Sequence, residues 1–542
     1  MFELEELSLY QAFRHASLRT PDETAIYFMN NKISFSELLD EIDEMASVLQ
    51  NTYLIQKGDV VLVSLPNIPE TIILFYAINK IGAISNMVHP NTPFEVMQQY
   101  YDDANTKLAF LYNQKVYKDL KNYIHFKGNL VLCGGGNYLP LRKKQAFIVK
   151  NRKLYRELYK TREFNYYHKL KDNKMNSKEV ELRNDETAVL LHSASTTGIS
   201  KTICLGSRSF NFTASKIPEI MCMEPDELIG KSLVSVLPSF HGFGLCMSMH
   251  APLVNSFGIV LIPKFDSKSV VKSMEKYKNV ICINGVPSIF DALYRDYGFV
   301  NSKQLKTLRN CFSGGDSLSQ ALKEKFDTAL IRKGSSCRLY EGYGLTEALS
   351  VCAVNTHRRH KNGSVGYPIS GVYFKILDDN NNELEPYKVG EISVKCSNSM
   401  IGYFNDEKAT KETYYEGYLK TGDLGYLDED GFLYFNSRKK RVIKVNGVAV
   451  FPHEIEGVIS KLAGVKAVCV IQIPDEKTVN ATKAYVVCAH RDIDRIISEC
   501  RKRLITWAIP KEVEFVDKLP MTKYKKVDYK KVQEMEDNKR KA

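Results

Sequence analysis

Short apolar runs alternate with amphipathic stretches along the first half of the chain. Residues 23–28 and 59–65 are short and mostly apolar, which is typical of buried strands, whereas residues 35–49 place leucine, isoleucine and alanine on one helical face. Ser34, with Glu37 three residues later, predicts a capping box at the start of that helix. Alternating strands and helices predict parallel sheets covered by helices, so the expected fold class is α/β.

A second, smaller α/β pattern follows residue 436. Here the predicted elements are a helix at 452–462, strands at 465–473 and 483–490, a helix at 493–504 and a strand at 512–516. The first of these helices opens with proline and has acidic residues in its first turn, as helix starts often do. At 542 residues the chain is too long for one ordinary core. We therefore expect two domains, 1–436 with mixed or parallel sheets and a smaller α+β domain at 437–542.

Composition indicates the cellular compartment in which the protein is expected. The most apolar run, residues 72–88, is interrupted by Lys80, so no membrane span is predicted. The acidic N-terminus has neither a basic nor an apolar region of a secretory signal. Twelve cysteines are scattered without a CxxC motif, which is typical of reduced thiols. These features predict a cytoplasmic protein.

The formal net charge of +12 is concentrated in part of the chain. Residues 141–175 contain twelve Lys or Arg against three acidic residues, with aromatic residues interleaved. Such a segment could bind nucleic acid. A solvated, partly helical surface is the interpretation we favour, because no nucleic-acid-binding motif accompanies it.

A loop of small hydroxyl residues, glycine and lysine occupies residues 192–201. Its backbone N–H and hydroxyl groups could hold phosphate oxygens, and the lysine adds charge. The spacing is not that of a Walker A loop, and a strand at 202–205 rather than a helix is predicted to follow. An ordinary polar turn is the alternative. The candidate phosphate-binding residues are Thr196, Thr197, Gly198 and Lys201.

Two further glycine-containing segments follow predicted strands. Residues 313–317 contain Gly314, Gly315 and Asp316, and the glycines would allow a flat ligand to approach the backbone. Residues 339–347 contain a tyrosine that could stack on a base, a threonine that could bond a phosphate oxygen and a carboxylate suited to Mg²⁺. The candidate residues of this segment are Glu341, Gly342, Tyr343, Thr346 and Glu347.

Residues 418–456 have the pattern of a nucleotide contact followed by a connector. We predict that Thr421-Gly422-Asp423 forms a tight turn before a hairpin at 424–435, with Asp423 as an acceptor for ribose hydroxyls. A cationic run, 438–441, leads into an alternating strand and Asn446-Gly447. A merely basic, solvated connector is the alternative.

Taken together, these motifs resemble the adenylate-forming superfamily, which includes acyl- and aryl-CoA synthetases, firefly luciferase and the adenylation domains of peptide synthetases. The resemblance covers nearly the whole chain. Its most specific part is Tyr-Gly-Leu-Thr-Glu at 343–347, at the expected distance after Ser-Gly-Gly. The end of the chain resembles the family's closing motif, with Lys526 in the position of the catalytic lysine.

The resemblance implies a two-step reaction. A carboxylate attacks the α-phosphate of ATP to give an acyl-adenylate and pyrophosphate, and coenzyme A then displaces AMP. It further implies a C-terminal domain that swings about Lys440, removing Lys526 and presenting Lys444 and Gly447 to the thiol. Arg438 would help Asp423 to hold the ribose, Glu347 would bind Mg²⁺, and His241 would lie in the wall of the acid pocket.

Several choices stay open at this point. The segment 238–244 lacks the Asp that amino-acid-activating relatives carry, which favours a fatty or aromatic acid. Acyl transfer to a carrier-protein pantetheine is an alternative to CoA. A nucleotide-binding pseudoenzyme is another, because four positions depart from the family pattern, namely Ala194, Ser195, Ser200 and Lys525.

Overall fold

The computed structural model describes most of the chain, in two compact units. Described are residues 4–161, 164–170, 177–180, 182–183, 185–193, 201–316, 318, 320–438, 443–450, 452–520, 527 and 529–541. The first unit comprises Met1–Pro90, Tyr101–His192 and Thr202–Ser437, and the second comprises Asn91–Tyr100, Ser193–Lys201 and Arg438–Ala542. In the described part, no helix is both long enough and apolar enough to cross a membrane.

The α-helices are distributed along the whole chain. In chain order they are α1 (Leu9–Arg19), α2 (Phe35–Ser47), α3 (Pro69–Lys80), α4 (Phe94–Asp103), α5 (Asn113–Lys118), α6 (Leu120–Tyr123), α7 (Leu141–Lys150), α8 (Arg152–Lys160), α9 (Ser207–Ser215), α10 (Ile217–Met221), α11 (Ala251–Val254), α12 (Ser267–Tyr277), α13 (Pro287–Arg295), α14 (Tyr297–Asn301), α15 (Gln320–Arg332), α16 (Glu407–Thr413), α17 (Pro452–Ser460), α18 (Ile493–Arg503) and α19 (Tyr529–Lys541). Short 3₁₀ segments and two π-helical segments, Val48–Thr52 and Phe243–His250, supplement them.

Strands occur in both units, and in the first unit they alternate with helices. They are β1 (Thr24–Phe28), β2 (Asn31–Ser34), β3 (Val60–Ser64), β4 (Ile84–Met87), β5 (Thr106–Tyr112), β6 (Leu130–Cys133), β7 (Asn165–Tyr166), β8 (Thr187–Ser193), β9 (Lys201–Gly206), β10 (Ser232–Ser235), β11 (Gly258–Leu261), β12 (Val280–Gly285), β13 (Asn310–Ser313), β14 (Leu339–Tyr343), β15 (Ala353–Val354), β16 (Tyr367–Pro368), β17 (Tyr373–Leu377), β18 (Gly390–Lys395), β19 (Gly402–Tyr403), β20 (Tyr414–Tyr415), β21 (Tyr418–Leu427), β22 (Leu433–Arg438), β23 (Ile443–Val445), β24 (Val448–Val450), β25 (Val465–Asp475), β26 (Val479–Cys488) and β27 (Glu512–Phe515).

Two large sheets carry the first unit. One has the order β16-β15-β14-β13-β12-β10-β11-β1-β2 and is parallel from β14 to β1. The other has the order β19-β9-β8-β4-β3-β5-β6-β7 and is parallel from β8 to β7. A five-stranded sheet contains β17, β18, β21, β20 and β22. The α/β class and the mixed, largely parallel sheets are confirmed.

Local sequence signals explain where several helices begin. Ser34 Oγ accepts the Glu37 N–H at 3.1 Å, and the Glu37 carboxylate accepts the Ser34 N–H at 2.8 Å. This reciprocal pair confirms the predicted capping box at α2. Ser8 and Gln11 form the same arrangement at α1, where no cap was predicted.

Helix α3 is buried on all sides. Its sequence is apolar around the full circumference, and all twelve residues are buried where it packs against α1 and α2. Its two charged residues have partners inside the protein. Lys80 Nζ lies 2.9 Å from Asp43 Oδ1, and Glu70 Oε1 accepts the Gly135 N–H at 3.1 Å.

The tight turn predicted at 421–423 is wrong. These three residues lie within the continuous strand β21, where they bulge opposite Ile392 of β18, because Lys420 pairs with Ser393 and Leu424 with Glu391. Gly422 has a φ of +71°, which supplies the unusual backbone angle that the bulge needs. The hairpin that follows is confirmed as β21 and β22.

In the second unit the two predicted strands form a long hairpin, and a terminal helix follows that the sequence did not reveal. Strands β25 and β26 pair from Val465 to Cys488, so β26 begins four residues before the predicted start. Helix α19 carries Glu536, which is buried and lies 2.9 Å from Lys483 Nζ. The tail is mostly charged, so its sequence predicts a solvent-exposed segment. Because one of the buried positions of α19 is a glutamate, the apolar periodicity that would mark a helix is weak.

We predict that Glu70 makes the stability of the first unit pH-dependent. Burial raises the pKa of Glu70 from 4.5 to about 7. Between pH 4.5 and about pH 7 the folded state therefore keeps a proton that the unfolded state has released. The free energy of unfolding falls as the pH rises through this range. Replacing Glu70 by Gln removes this titration. The unfolding free energy of Glu70→Gln minus that of wild type should therefore increase by about 3 kcal/mol as the pH rises from below 4.5 to above about 7.

Urea unfolding followed by circular dichroism at about pH 5 and about pH 8 measures this difference. The exposed Glu429→Gln is the matched control and should give no pH-dependent gain. Parallel pH profiles for Glu70→Gln and wild type would show that Glu70 ionises normally in the folded state.

Candidate functional site

The sequence-predicted residues of the first unit gather where parallel strands end. The loops 238–244, 314–318 and 344–347 follow β10, β13 and β14, whose carboxyl ends share one edge of the nine-stranded sheet. Ligands of open α/β sheets bind at such edges. This edge is therefore the candidate site.

A buried amide joins this edge to the other large sheet. Asn67, in the loop after β3, donates from Nδ2 to the Leu237 carbonyl at 2.8 Å and accepts the Ser239 N–H on Oδ1 at 3.1 Å. The two bonds fix the loop after β10 against the loop after β3. No sequence signal marks this role, since a lone Asn in a Pro-rich loop is usually a turn residue.

Histidine rings line the same junction. The His89 ring, which follows β4, lies 4.3 Å from the Phe240 ring, and Phe240 lies 4.8 Å from His241. Burial lowers the pKa of His89 to about 3 and that of His241 to about 4. The imidazole of His241 is nevertheless partly exposed to solvent. At neutral pH both imidazoles are uncharged and can donate or accept one hydrogen bond per nitrogen.

The glycine segment after β13 lies against β14. A side chain at Gly314 would meet Phe243 at 3.1 Å and the Gly342 carbonyl at 3.6 Å. The Leu318 N–H donates to Glu341 Oε1 at 3.1 Å, which ties this loop to β14. Burial raises the pKa of Glu341 to about 7. Glu341, predicted as a ligand contact, thus holds the loop in place.

The bulge in β21 turns Asp423 inward onto Tyr343. The Tyr343 hydroxyl donates to Asp423 Oδ2 at 2.8 Å, and both residues are buried. Thr421 and Gly422 are fixed by bonds to β18, since the Thr421 hydroxyl donates to the Ile392 carbonyl and the Gly422 N–H to Glu391 Oε1. The structure therefore brings together two residues that lie eighty positions apart in sequence.

Glu347 lies on a single 3₁₀ turn, Thr346–Ala348. The Tyr403 hydroxyl donates to its Oε1 at 3.3 Å, and its backbone carbonyl accepts the Met400 N–H. The half-buried carboxylate fits Mg²⁺, which is commonly held by one or two carboxylates together with substrate phosphates and water.

The tight path of this segment requires Gly344. A Cβ at Gly344 would lie 1.2 Å from the Ser350 carbonyl oxygen, so any side chain there must displace backbone. Sequence alone did not reveal which backbone segment approaches this glycine.

His192 is the first residue of the predicted phosphate-binding loop, 192–201, and was not among its candidate ligand contacts. At the end of β8, its Nε2 lies 2.6 Å from Asn86 Oδ1 and its Nδ1 lies 3.1 Å from Thr202 Oγ1. With Nε2–H donating to the amide and Nδ1 accepting from the hydroxyl, one neutral tautomer satisfies both contacts. Burial lowers the pKa of His192 to about 3, in agreement with the neutral form.

The remaining predicted residues are either outside the described part of the chain or located as follows. Thr196, Thr197, Gly198, Lys440 and Lys526 lie outside the described residues. The backbone of Arg438 ends β22, and Lys201 begins β9. Gly315 has a φ of +77° and is exposed, and Asp316 beside it is half-buried.

Lys444 and Gly447 lie in a hairpin of the second unit. Strands β23 and β24 pair through Ile443–Val450 and Val445–Val448. Asn446 and Gly447 form the two-residue turn, with φ of +52° and +76°, the left-handed pair that such hairpins prefer. The sequence suggested the first strand but not its partner.

We predict that the hydrogen bond between Tyr343 and Asp423 stabilises the first unit. Tyr343→Phe removes the donor and leaves a buried carboxylate, which should cost about 1.5–3 kcal/mol of unfolding free energy. The exposed Tyr373→Phe is the matched control and should change it by less than about 0.5 kcal/mol.

Urea unfolding by circular dichroism measures both variants. The single tryptophan, Trp507, lies in the second unit, so its fluorescence follows that unit separately. A Tyr343→Phe transition that coincides with that of Tyr373→Phe would contradict the prediction.

Comparison with known proteins gives matches along almost the full length. A family model described as AMP-binding enzyme matches residues 13–404, and one described as AMP-binding enzyme C-terminal domain matches residues 454–526. The long-chain-fatty-acid–CoA ligase of Yersinia pestis is 30% identical over 536 residues, which are 96% of this chain and 93% of that protein. The ligase of the same name from Bacillus subtilis (strain 168) is 29% identical over 538 residues, 97% of this chain and 94% of that protein.

Solved structures show the same fold. An amide bond synthetase from Marinactinospora thermotolerans has a TM-score of 0.80 at 20% identity and covers 98% of this chain and 99% of its own. An o-succinylbenzoate CoA synthetase from Bacillus subtilis has a TM-score of 0.79 at 23% identity, with coverage of 98% and 99%. With the family models and the 30% identical relative, these findings confirm the resemblance of the motifs: the chain is an enzyme that belongs to the AMP-binding enzyme family, within the adenylate-forming superfamily of the acyl-CoA synthetase type.

Proposed function

We propose that the protein activates a fatty or aromatic carboxylic acid with ATP and transfers the acyl group to coenzyme A. In the first step a carboxylate oxygen attacks the α-phosphorus and pyrophosphate leaves, giving an acyl-adenylate. In the second step the CoA thiol attacks the acyl carbon, AMP leaves and the thiol proton is released. The observation that carries the proposal is the pairing of Tyr343 with Asp423 at the strand edge, inside a chain that matches the AMP-binding family.

The described residues support the nucleotide half of this reaction. Tyr343 orients the Asp423 carboxylate, which remains a candidate acceptor for ribose hydroxyls. Gly314 and Gly342 face each other without side chains, so a flat base could approach the backbone of this loop and of β14. Glu347 would hold Mg²⁺, whose charge would stabilise the phosphates.

Catalysis in this account is positioning and charge stabilisation. Thr196 to Lys201 would hold phosphate oxygens, and Lys526 would meet the oxygens on which negative charge develops. A turn of the C-terminal domain, 437–542, about Lys440 would then remove Lys526 and present Lys444 and Gly447 to the thiol. Arg438 would assist at the ribose. These assignments rest on the family resemblance of the motifs.

The acid site is proposed near His241. Desolvation by the surrounding protein atoms lowers the pKa of His241 to about 4, so its imidazole is neutral at pH 7 and can donate a hydrogen bond to a carboxylate without pairing as an ion. Met247 and Met249 belong to the hydrophobic core, which favours packing over a pocket-lining role for them. We favour a long-chain fatty acid, because the relatives matched over nearly their full length are named for that substrate.

A carrier-protein pantetheine is the alternative acceptor. The two acceptors share the reacting thiol, so the first step does not distinguish them. Product formation with free CoA alone separates the alternatives. No described residue favours a carrier protein over CoA.

Acid-dependent exchange between ATP and labelled pyrophosphate tests the first step. We predict exchange with one class among short, medium, long and aromatic acids, and a loss of roughly several hundred-fold in Lys526→Ala, because one contact to developing charge is removed. Lys525→Ala is the matched control, since it removes a neighbouring lysine outside the assigned position, and it should stay close to wild type.

Each other outcome identifies a specific error. Exchange lost in Lys525→Ala but kept in Lys526→Ala would mean that the lysine assignment is off by one position. No exchange with any acid, together with ATP binding in a direct titration, would favour the pseudoenzyme suggested by Ala194, Ser195 and Ser200.

A further inference from the structure

The basic segment of the first unit presents an unusual surface. Helices α7 and α8 follow each other through Asn151, and seven of their cations are exposed to solvent: Arg142, Lys143, Lys150, Arg152, Lys153, Arg156 and Lys160. The acidic residue within these two helices is Glu157, whose carboxylate lies 3.5 Å from Lys160 Nζ. Within α7 and α8, both fully described, the positive charge is therefore almost uncompensated.

An aliphatic stripe lies among these cations. Leu141 and Val149 expose 76% and 73% of their surface, and Ile148 exposes 48%. Positions 141 and 148 lie seven apart, so they share a helical face, and 149 lies next to it. Phe147 points the other way, since it would contact a side chain at Gly136 at 3.1 Å. Helix α7 thus directs its one aromatic residue toward the protein and its aliphatic residues toward solvent.

The exposed surface extends beyond the helix. Lys143 Nζ donates to the Met29 carbonyl at 3.0 Å, and Met29, in the turn between β1 and β2, is itself exposed. On the other side, Leu154 and Leu158 of α8 are buried, which anchors α8 to the unit. The aliphatic stripe therefore belongs to a helix pair that is packed against the rest of the first unit.

The aromatic residues of the segment do not suit nucleic acid. Phe164, Tyr166 and Tyr167 are buried. Tyr159 packs its ring 4.6 Å from that of Tyr166, and Lys169 Nζ lies 5.0 Å from the Tyr159 ring centre. Single-stranded nucleic acid is bound through free aromatic faces on which bases stack. Here those faces are largely occupied: Tyr159 exposes 42% of its surface, whereas the aliphatic Leu141 and Val149 expose 76% and 73%.

We propose that α7, α8 and the Met29 turn form a surface that binds anionic lipid bilayers. Helices with exposed aliphatic residues beside Lys and Arg lie in the interface of a membrane, with the aliphatic groups in the acyl boundary and the cations on the headgroups. Juxtaposed cations strengthen binding to anionic lipids additively. This surface is independent of the proposed reaction, so either can fail without the other.

Flotation of the full chain with phosphatidylcholine vesicles, with and without phosphatidylglycerol, tests the proposal. Wild type should float with the anionic vesicles and should dissociate as salt increases. The variant Arg142→Gln/Lys150→Gln/Arg152→Gln should bind about a hundredfold more weakly, because each cation contributes roughly fivefold. The variant Leu141→Gln/Ile148→Gln/Val149→Gln should also lose binding, although its charge is unchanged.

Matched controls use equally exposed residues elsewhere. Leu54→Gln/Ile331→Gln/Val479→Gln removes three exposed aliphatic residues and should bind as wild type does. Circular dichroism establishes that all variants are folded. Wild-type binding by the 141/148/149 variant, or no flotation of wild type, overturns the proposal. A single-stranded oligonucleotide bound by wild type and lost in the charge variant, without flotation, would assign the surface to nucleic acid instead.

Discussion

The candidate site depends on one buried amide that joins two sheets. Asn67 uses both its donor and its acceptor on backbone groups of Leu237 and Ser239. Each of these groups would otherwise be buried without a partner, at a cost of about 1–3 kcal/mol. Because the loop after β10 carries His241, the proposed acid site is positioned through the side chain of a residue on the other sheet. A scaffold contact therefore sets the geometry of the site.

Buried hydrogen bonds between different strands also occur elsewhere along this edge and beside it. The bulge in β21 exists because Gly422 adopts a left-handed angle, and it turns Asp423 onto Tyr343. His192 is held between two neighbouring strands by Asn86 and Thr202. In each case a buried polar group bonds to a partner on a different element, and such bonds restrict the motion of the side chains at this edge.

Sequence predicted the parts of the fold and of the site that are local. The capping box of α2, the hairpin after Asp423 and the Tyr-Gly-Leu-Thr-Glu segment all depend on residues within a few positions, and their patterns were informative. The turn predicted at 421–423 was wrong because a Thr-Gly-Asp sequence suits a turn and a bulge equally well. Only the pairing of β21 with β18 decides between them.

Long-range partners could not be predicted, since no periodicity marks them. Asn67 and His192 sit in ordinary loop and strand-end sequences, and their roles appear only when the sheets are assembled. Helix α19 was missed for a related reason. Its buried Glu536 is stabilised by Lys483, fifty-three residues away, so a charged position that the pattern assigns to solvent lies inside the unit.

The central claim is that the acid becomes an acyl-adenylate before it meets CoA. A fatty acid with both carboxylate oxygens labelled with ¹⁸O tests it, with ATP and CoA present and mass spectrometry of the nucleotide product. The account predicts one ¹⁸O in each AMP, since the oxygen that attacked phosphorus leaves with it, and one in the thioester carbonyl. Unlabelled nucleotide with ¹⁸O in inorganic phosphate would mean an acyl phosphate instead, and would contradict the account.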